Sequence, residues 1–349
     1  MKLNAGTYEI IIESGSIAKT GEYAASAVKP CRTLVVSDDN VYPLYGKTVE
    51  ESLTGAGFDV AESYVFPHGE EQKNLTTFSA ILEHMAAQHL TRTDVVFALG
   101  GGVTGDMTGF AAACYLRGIR FVQIPTSLLA MVDSSVGGKT AVDLSAGKNL
   151  VGAFHEPSLV ICDPEVLSTL PADFFTDGMA EAIKMGMLGN RALFDGIRDK
   201  ALTTAQIIEM CVTDKRDIVA RDFRDNGERQ KLNLGHTVGH ALEVLSDYTI
   251  RHGHAVAAGM HVITRASAAR GLCSEELLRA LDAALVAAGL DPMLCSRHSV
   301  EDLHRGTLHD KKLRGNTISL VIPREIGVSE LMKFTTDELT DIIRAGIEA

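Results

Sequence analysis

Through about the first 150 residues, short apolar runs alternate with longer periodic stretches. The runs "TLVVSDDN", "FDVAESYVF", "DVVFALGGG" and "RFVQIPT" are rich in β-branched residues and end in turn formers. This alternation predicts a parallel sheet flanked by helices, an α/β domain. The N-terminal "MKLNAGTYEIIIESG" also alternates like a strand. From about Pro157 the patterns lengthen. The stretches "FTDGMAEAIKMGML", "TTAQIIEMCVTDKRDIVARDF" and "SEELLRALDAALVAAG", separated by Gly, Asp and Pro breaks, predict a mostly α-helical second domain. The boundary is placed in "HEPSLVICDPEVLSTLP", giving domains 1–158 and 159–349 with no internal repeat. A cleft between two such halves is the default place for a ligand.

Polar residues interrupt two of the helical stripes. In "AQIIEMCVTDKRDIVARDF" the apolar face runs through Ile208, Cys211, Val212, Ile218 and Val219, and helical spacing puts Lys215 inside it. Either Lys215 is buried beside an anion or carboxylate, or it snorkels to water. In "NLGHTVGHALEVLSDYTIRHGH" stand four of the chain's 12 histidines: His236, His240, His252 and His254. His236 and His240 project from one helical face with Asn233 beside them, joined by Arg229 if the helix reaches back a turn. The spacing suits metal ligands, but Thr237 stands where H-E-x-x-H requires glutamate, which excludes the zinc-protease arrangement. Four histidines together still point to a metal or catalytic cluster. "DGMAEAIKMG" offers Glu181 as a hard oxygen ligand, with Lys184 on the same face; the plain alternative is an ordinary i, i+3 salt pair. Met179, Met185 and Met187 read as core filling.

After "DVVFAL" comes "GGGVTGD", where Gly100, Gly102 and Gly105 fit G-x-G-x-x-G before an apparent helix, "MTGFAAACYL". Such glycines let a pyrophosphate approach a helix N-terminus, although a tight strand-to-helix turn also explains them. The acid that usually holds the ribose about twenty residues later is missing, because the strand "RFVQIPTS" ends without one. Asp38 and Asn40, at the end of an earlier strand, are candidates for that role or simple turn caps. "DSSVGGKT" imitates a phosphate loop, but Asp133 replaces its first glycine, which excludes an ATPase and leaves Lys139 as an anion binder or a solvated loop lysine.

Composition narrows the ligands. Of 349 residues, 46% are hydrophobic and 22% charged, as in ordinary globular chains. With 33 basic and 45 acidic residues the net charge is −12, which argues against nucleic acid and anionic membranes, so an anionic ligand needs a local basic cluster. Six scattered cysteines form no C-x-x-C pair, so reduced thiols and a cytoplasmic location are expected. No signal peptide or membrane-spanning run is expected either.

The motifs "PHGEEQK", "GGGVTGD", "YLRG", "QIPTSLLAMVDSSVGGKTAVDL", "GKNLVGAF", "GMAEAIK", "NLGHTVGHALE" and "DKK" together resemble the 3-dehydroquinate synthases of the sugar-phosphate cyclase family along nearly the whole chain. The resemblance implies a Rossmann-like N-terminal domain and a helical C-terminal one. It also implies a homodimeric lyase that uses NAD and Zn²⁺ or Co²⁺ to convert 3-deoxy-D-arabino-heptulosonate 7-phosphate, an anionic sugar phosphate, to 3-dehydroquinate and phosphate in the shikimate route. The implied metal ligands are Glu181, His236 and His252, with His240 reassigned to the phosphate region. The implied NAD contacts are Asp38, Asn40, Glu70, Lys73, Gly101, Gly102, Val103, Asp106, Thr126, Ser127, Lys139, Lys148, Thr169 and Leu170. The implied substrate residues are Asp133, Lys139, Asn149, Lys184, Lys215, Arg229, Asn233, His240 and Lys311 or Lys312, with Arg117 supplied by the other subunit.

In the chemistry implied by the resemblance, temporary oxidation of an alcohol acidifies the neighbouring C–H, phosphate leaves, the hydride returns, and ring opening and aldol closure follow. The chain departs from the family pattern at Asp225 (for glutamate), Asp143 (for asparagine) and His254 (for glutamate). His254 is expected to neighbour the metal ligands without joining them. Competing readings are another cyclase such as 2-deoxy-scyllo-inosose synthase, a metal-dependent polyol dehydrogenase, and a non-catalytic nucleotide-binding module.

Overall fold

The computed structural model describes residues 1–307 and 316–348; Lys311 and Lys312 lie outside the described residues. The chain divides into two compact units, 1–171 and 172–349.

The first unit contains strands β1 (Lys2–Asn4), β2 (Glu9–Ile12), β3 (Arg32–Asp38), β4 (Asp59–Val60), β5 (Tyr64–Phe66), β6 (Val95–Gly100), β7 (Arg120–Pro125), β8 (Lys139–Leu144), β9 (Gly147–Phe154) and β10 (Leu159–Cys162). Its helices are α1 (Thr20–Ala27), α2 (Tyr42–Gly55), α3 (Leu75–Ala87) and α4 (Gly102–Cys114). The main sheet runs β1-β2-β10-β7-β6-β3-β4, with β5 also on β3; only the β1–β2 pair is antiparallel. Every residue of β6 is buried, as the continuous apolar run "VVFALG" requires of a central parallel strand. One part of the core packs Leu34, Val36 and Val96 of the sheet against Ile81 and Met85 of α3 and Phe110 of α4.

The boundary differs from the expected 158/159. Leu159–Cys162 is fully buried and pairs in parallel with both β2 and β7, so these residues complete the first sheet. The sequence pattern also gave no warning of the antiparallel hairpin β8–β9. Much of β9 is exposed or half-buried, so the hairpin lacks the one-sided apolar alternation by which a strand is recognised.

The second unit consists of α5 (Ala172–Gly189), α6 (Arg191–Arg198), α7 (Thr204–Arg221), α8 (His236–Leu245), α9 (His252–Ala269), α10 (Glu275–Ala287), α11 (Val300–Thr307) and α12 (Thr336–Ile347), plus one antiparallel hairpin, β11 (Thr317–Glu325) with β12 (Val328–Thr335). It is mostly helical, as expected. Thr203 and Gln206 form a reciprocal cap that starts α7. Helix α9 is buried along most of its length and packs against α5, α8 and α12.

Small residues make that packing possible. A Cβ on Gly259 would stand 2.0 Å from the carbonyl oxygen of Gly235, and one on Gly253 would stand 2.3 Å from that of Asp177. Only glycine at these two positions lets α9 approach the start of α8 and the backbone of α5 so closely. Among the described residues, no helix is long and apolar enough to cross a membrane.

Candidate functional site

Three helices of the second unit each contribute one metal-type ligand. Glu181 lies within α5, His236 opens α8 and His252 opens α9. The two glycine contacts described above bring these helices together. The result is a group in which one ligand atom from each of Glu181, His236 and His252 lies within 4.8 Å of the others. Oε1 of Glu181 is 3.4 Å from Nε2 of His252 and 3.7 Å from Nε2 of His236. Lys184 Nζ contacts the other oxygen, Oε2, so the i, i+3 pair exists and belongs to the cluster.

The opposite edge of each imidazole is also engaged. Nδ1 of His236 donates to the carbonyl of Leu234 at 3.1 Å, and Nδ1 of His252 faces Oε2 of Glu243 at 3.4 Å. Nε2 of each ring is thereby turned toward Glu181, where it holds a proton or, once that proton is lost, offers its lone pair to an ion. Glu181 is fully buried, and no hydroxyl or amide among the described residues donates to either of its oxygens. Burial alone would raise its pKa, but Lys184 and then His252 outweigh that effect and hold it at about 2. His252 likewise resists the penalty of burial: Glu243 and Glu181 push its pKa up to about 10. The site therefore draws positive charge to the point between Glu181 and His252. A carboxylate oxygen and two imidazole nitrogens are a donor set that fits Zn²⁺ or Co²⁺ and leaves coordination positions for a ligand.

His240 packs edge-on to His236, with ring centroids 5.3 Å apart, and lies 6.0 Å from the ring of His252. Sequence reasoning did not single out Glu243, which forms a second group of potential ligand atoms with His240 and His252. His254 joins neither group among the described residues. It lies instead near Asp177, whose pKa burial raises while His254 and His252 pull it down.

Lys184, Lys215 and Arg229 are all buried, at 1%, 5% and 1% exposure, so Lys215 is buried within its stripe and does not snorkel. They sit on α5, on α7 and on a 3-10 turn, Glu228–Asn233, segments that pack on one another. Arg229 donates from Nη1 to the carbonyl of Phe223 at 2.7 Å. Helix α8 does not reach back the further turn that would have put Arg229 on its face. Gly235, at φ +80, breaks the chain before His236, so Arg229 and Asn233 belong to the separate turn. Asn233 donates there to the carbonyl of Gln230 at 3.0 Å. Nearby Asp225 takes a left-handed conformation, φ +58.

In the first unit the glycine loop has the expected form. β6 ends at Gly100, α4 begins at Gly102, and no side chain caps that helix end. The amides of its first turn, around Gly101, Gly102 and Val103, are thus placed to receive an anion. An acid does stand beside this loop, on the adjacent strand. Asp38, at the end of β3, accepts from the backbone N–H of Asn40 and of Val41 at 3.0 Å each, and Thr104 Oγ1 on α4 donates to it at 3.3 Å. Capping and closeness to the loop are therefore both true of Asp38.

Lys73, 5% exposed, donates from Nζ to Asp106 Oδ2 and to Asn149 Oδ1, at 2.6 Å each. Asn149, held at φ +55, also donates its backbone N–H to Asp143 Oδ1 at 2.7 Å. Thus two expected NAD residues and one expected substrate residue share a network, and the departure at Asp143 helps to hold it. Lys148 pairs with Glu70 at 3.3 Å, and Thr169 bonds the hydroxyl of Tyr45 at 2.8 Å.

Asp133 lies in a π-helical turn, Ala130–Ser134, that follows Thr126 and Ser127. Lys139 is exposed at the start of β8, and Leu170 is half-buried just before the second unit. Arg117 is exposed, and it and Leu116 both have positive φ, +69 and +50.

Comparison with known proteins places the chain. Residues 63–177 match the 3-dehydroquinate synthase N-terminal family and residues 178–313 the 3-dehydroquinate synthase C-terminal family. The 3-dehydroquinate synthase of Streptococcus pneumoniae is 41% identical over 344 residues, covering 96% of each chain. That of Streptococcus mutans is 40% identical, covering 98% of this chain and 99% of its own. Among solved structures, 2-epi-5-epi-valiolone synthase from Streptomyces hygroscopicus, with NAD⁺ and Zn²⁺ bound, superposes with a TM-score of 0.88 at 25% identity over 99% of this chain and 98% of its own. A 2-deoxy-scyllo-inosose synthase complexed with carbaglucose-6-phosphate, NAD⁺ and Co²⁺ has the same fold, with a TM-score of 0.87 at 23% identity over 99% of both chains. Glycerol dehydrogenase from Schizosaccharomyces pombe shares the fold more distantly, with a TM-score of 0.69 at 16% identity over 97% of this chain and 88% of its own. The chain belongs to the 3-dehydroquinate synthase family.

Proposed function

We propose that this chain is a 3-dehydroquinate synthase, a lyase that converts 3-deoxy-D-arabino-heptulosonate 7-phosphate to 3-dehydroquinate and phosphate with NAD and one divalent ion. The observation that carries the reading is the gathering of Glu181, His236 and His252, with Lys184 against the same carboxylate, in a chain of this family. When bound, NAD supplies a reversible two-electron oxidation and the ion supplies a Lewis acid for vicinal hydroxyls.

The residues of this chain do the rest by holding charge and geometry. Glu181, His236 and His252 hold the ion. Lys184 and Lys215, whose ammonium groups are buried, bind and polarise substrate oxygens more strongly than exposed lysines can. Arg229, His240, Lys139 and one of Lys311 and Lys312 are assigned to the phosphate, the basic groups that an acidic chain needs for an anionic substrate. Asp133, Asn149 and Asn233 orient hydroxyls. Because the substrate is one flexible anion, fixing its conformation is itself a large part of the rate enhancement.

The assigned NAD contacts are Asp38 and Asn40 at the ribose end, Gly101, Gly102, Val103 and the start of α4 at the pyrophosphate, and Glu70, Lys73, Asp106, Thr126, Ser127, Lys139, Lys148, Thr169 and Leu170 around the rest. The reading includes a homodimer in which Arg117 of each chain serves the other's site, and a cytoplasmic location.

The assay that tests it incubates purified protein with NAD, Zn²⁺ and the heptulosonate phosphate. Phosphate release without net NADH is expected. Net NADH from a simple polyol would establish the dehydrogenase reading, and turnover of a hexose 6-phosphate in place of the heptulosonate would establish another cyclase.

A further inference from the structure

His236 and His252 are oriented by different means. His236 uses a backbone carbonyl, that of Leu234, for its Nδ1. His252 is the first residue of α9, and Nδ1 of its ring faces a side chain instead, Oε2 of Glu243 at 3.4 Å. Glu243 is 1% exposed and sits in the last turns of α8, one turn beyond His240. Its carboxylate and ring nitrogens of His240 and His252 lie within 4.8 Å of one another. The His252 ring is thus clamped edge to edge between two carboxylates, Glu243 on Nδ1 and Glu181 on Nε2.

A ring at the start of a helix can swing about its χ angles. A buried carboxylate on Nδ1 fixes both its tautomer and its direction, and such partners of metal-ligating histidines typically contribute 10-fold to 100-fold in affinity.

We infer that Glu243 is a positioning residue of the metal centre, which keeps His252 protonated at Nδ1 with Nε2 directed at the ion. The inference rests on the proposed assignment of Glu181, His236 and His252 as ligands and assigns a role to a residue outside that set.

The test titrates metal-depleted protein with Zn²⁺ against a competing chelator, and with Co²⁺ while recording its visible d–d bands. It compares wild type with Glu243→Gln, Glu243→Met and the control Glu181→Gln. Gln can still accept from Nδ1 but lacks charge, so it is expected to weaken affinity by ~10-fold; Met keeps the volume but cannot accept, and is expected to weaken it by ~100-fold. Both variants should shift the Co²⁺ bands and leave NAD affinity within about two-fold of wild type. NAD affinity and far-UV circular dichroism report folding, and if the Met variant fails to fold, the Gln variant carries the test.

Unchanged metal affinity and Co²⁺ bands in a folded Glu243→Gln would overturn the inference. So would a second ion per chain that disappears in that variant, because Glu243 would then be a ligand. Unchanged affinity in Glu181→Gln would remove the metal centre itself and this inference with it.

Discussion

Nε2 of His252 lies 3.4 Å from Oε1 of Glu181, although the two residues are far apart in sequence and belong to different helices, α9 and α5. The same carboxylate holds Lys184 on its other oxygen. Glu181→Gln keeps the shape and removes the charge. It should abolish stoichiometric metal binding, and it leaves a buried ammonium without its carboxylate, costing about 3 kcal/mol of stability in the metal-free protein. Chelator competition and urea unfolding measure the two effects separately.

The closeness of α8 and α9 depends on Gly259. An added methyl would stand 2.0 Å from the Gly235 carbonyl oxygen, a backbone atom that a rotamer change cannot move aside. Gly259→Ala should therefore lower stability by about 2 to 3 kcal/mol and weaken metal binding too, because His236 directly follows Gly235. Thermal melts with and without Zn²⁺ check this: the stabilisation conferred by metal should shrink in the variant.

The Lys73–Asp106–Asn149 network gives an analogous test in the first unit. Lys73→Ala removes one partner of a buried pair and should cost about 3 kcal/mol. It should also weaken NAD binding by ~10-fold, about 1.4 kcal/mol, while metal affinity stays at the wild-type value. Fluorescence titration with NADH and chelator competition distinguish the two effects.

The cysteines report the packing of both units. Burial pushes Cys162 and Cys295 from the ordinary 9.0 up to about 12, whereas Cys114 is exposed. A thiol reagent at pH 8 should label Cys114 and spare the other two until the protein unfolds. Between pH 9 and 12 the unfolded chain ionises those two thiols and the folded chain does not, so their contribution to stability falls as pH rises through that window. Mass spectrometry of labelled protein and urea melts across the range check both statements.

Much of this architecture could be read from residue patterns. "DVVFALGGGVTGD" gave a strand, a turn and a helix because apolar run, glycines and helical period all agree, and "IEMCVTDKRDIV" singled out Lys215 as a cation set inside an apolar stripe, leaving burial and snorkelling for the fold to decide. What could not be read depends on contacts distant in sequence. Glu243 in "HALEVL" resembles any solvated helical acid until α9 folds over it. Asp38 becomes the neighbour of the glycine loop only because β3 pairs beside β6. Leu159–Cys162 belongs to the first sheet through partners near residues 10 and 122, which no local pattern in "HEPSLVICDPEV" encodes. The break at Gly235 was missed because glycine inside a helical pattern is common enough to be read through.

The most direct test is anomalous diffraction at the zinc edge from crystals grown with Zn²⁺ and NAD. A single ion is expected about 2.0 to 2.2 Å from a carboxylate oxygen of Glu181 and from Nε2 of His236 and of His252. An ion seated elsewhere, or bound by His240 and Glu243 without Glu181, would contradict it.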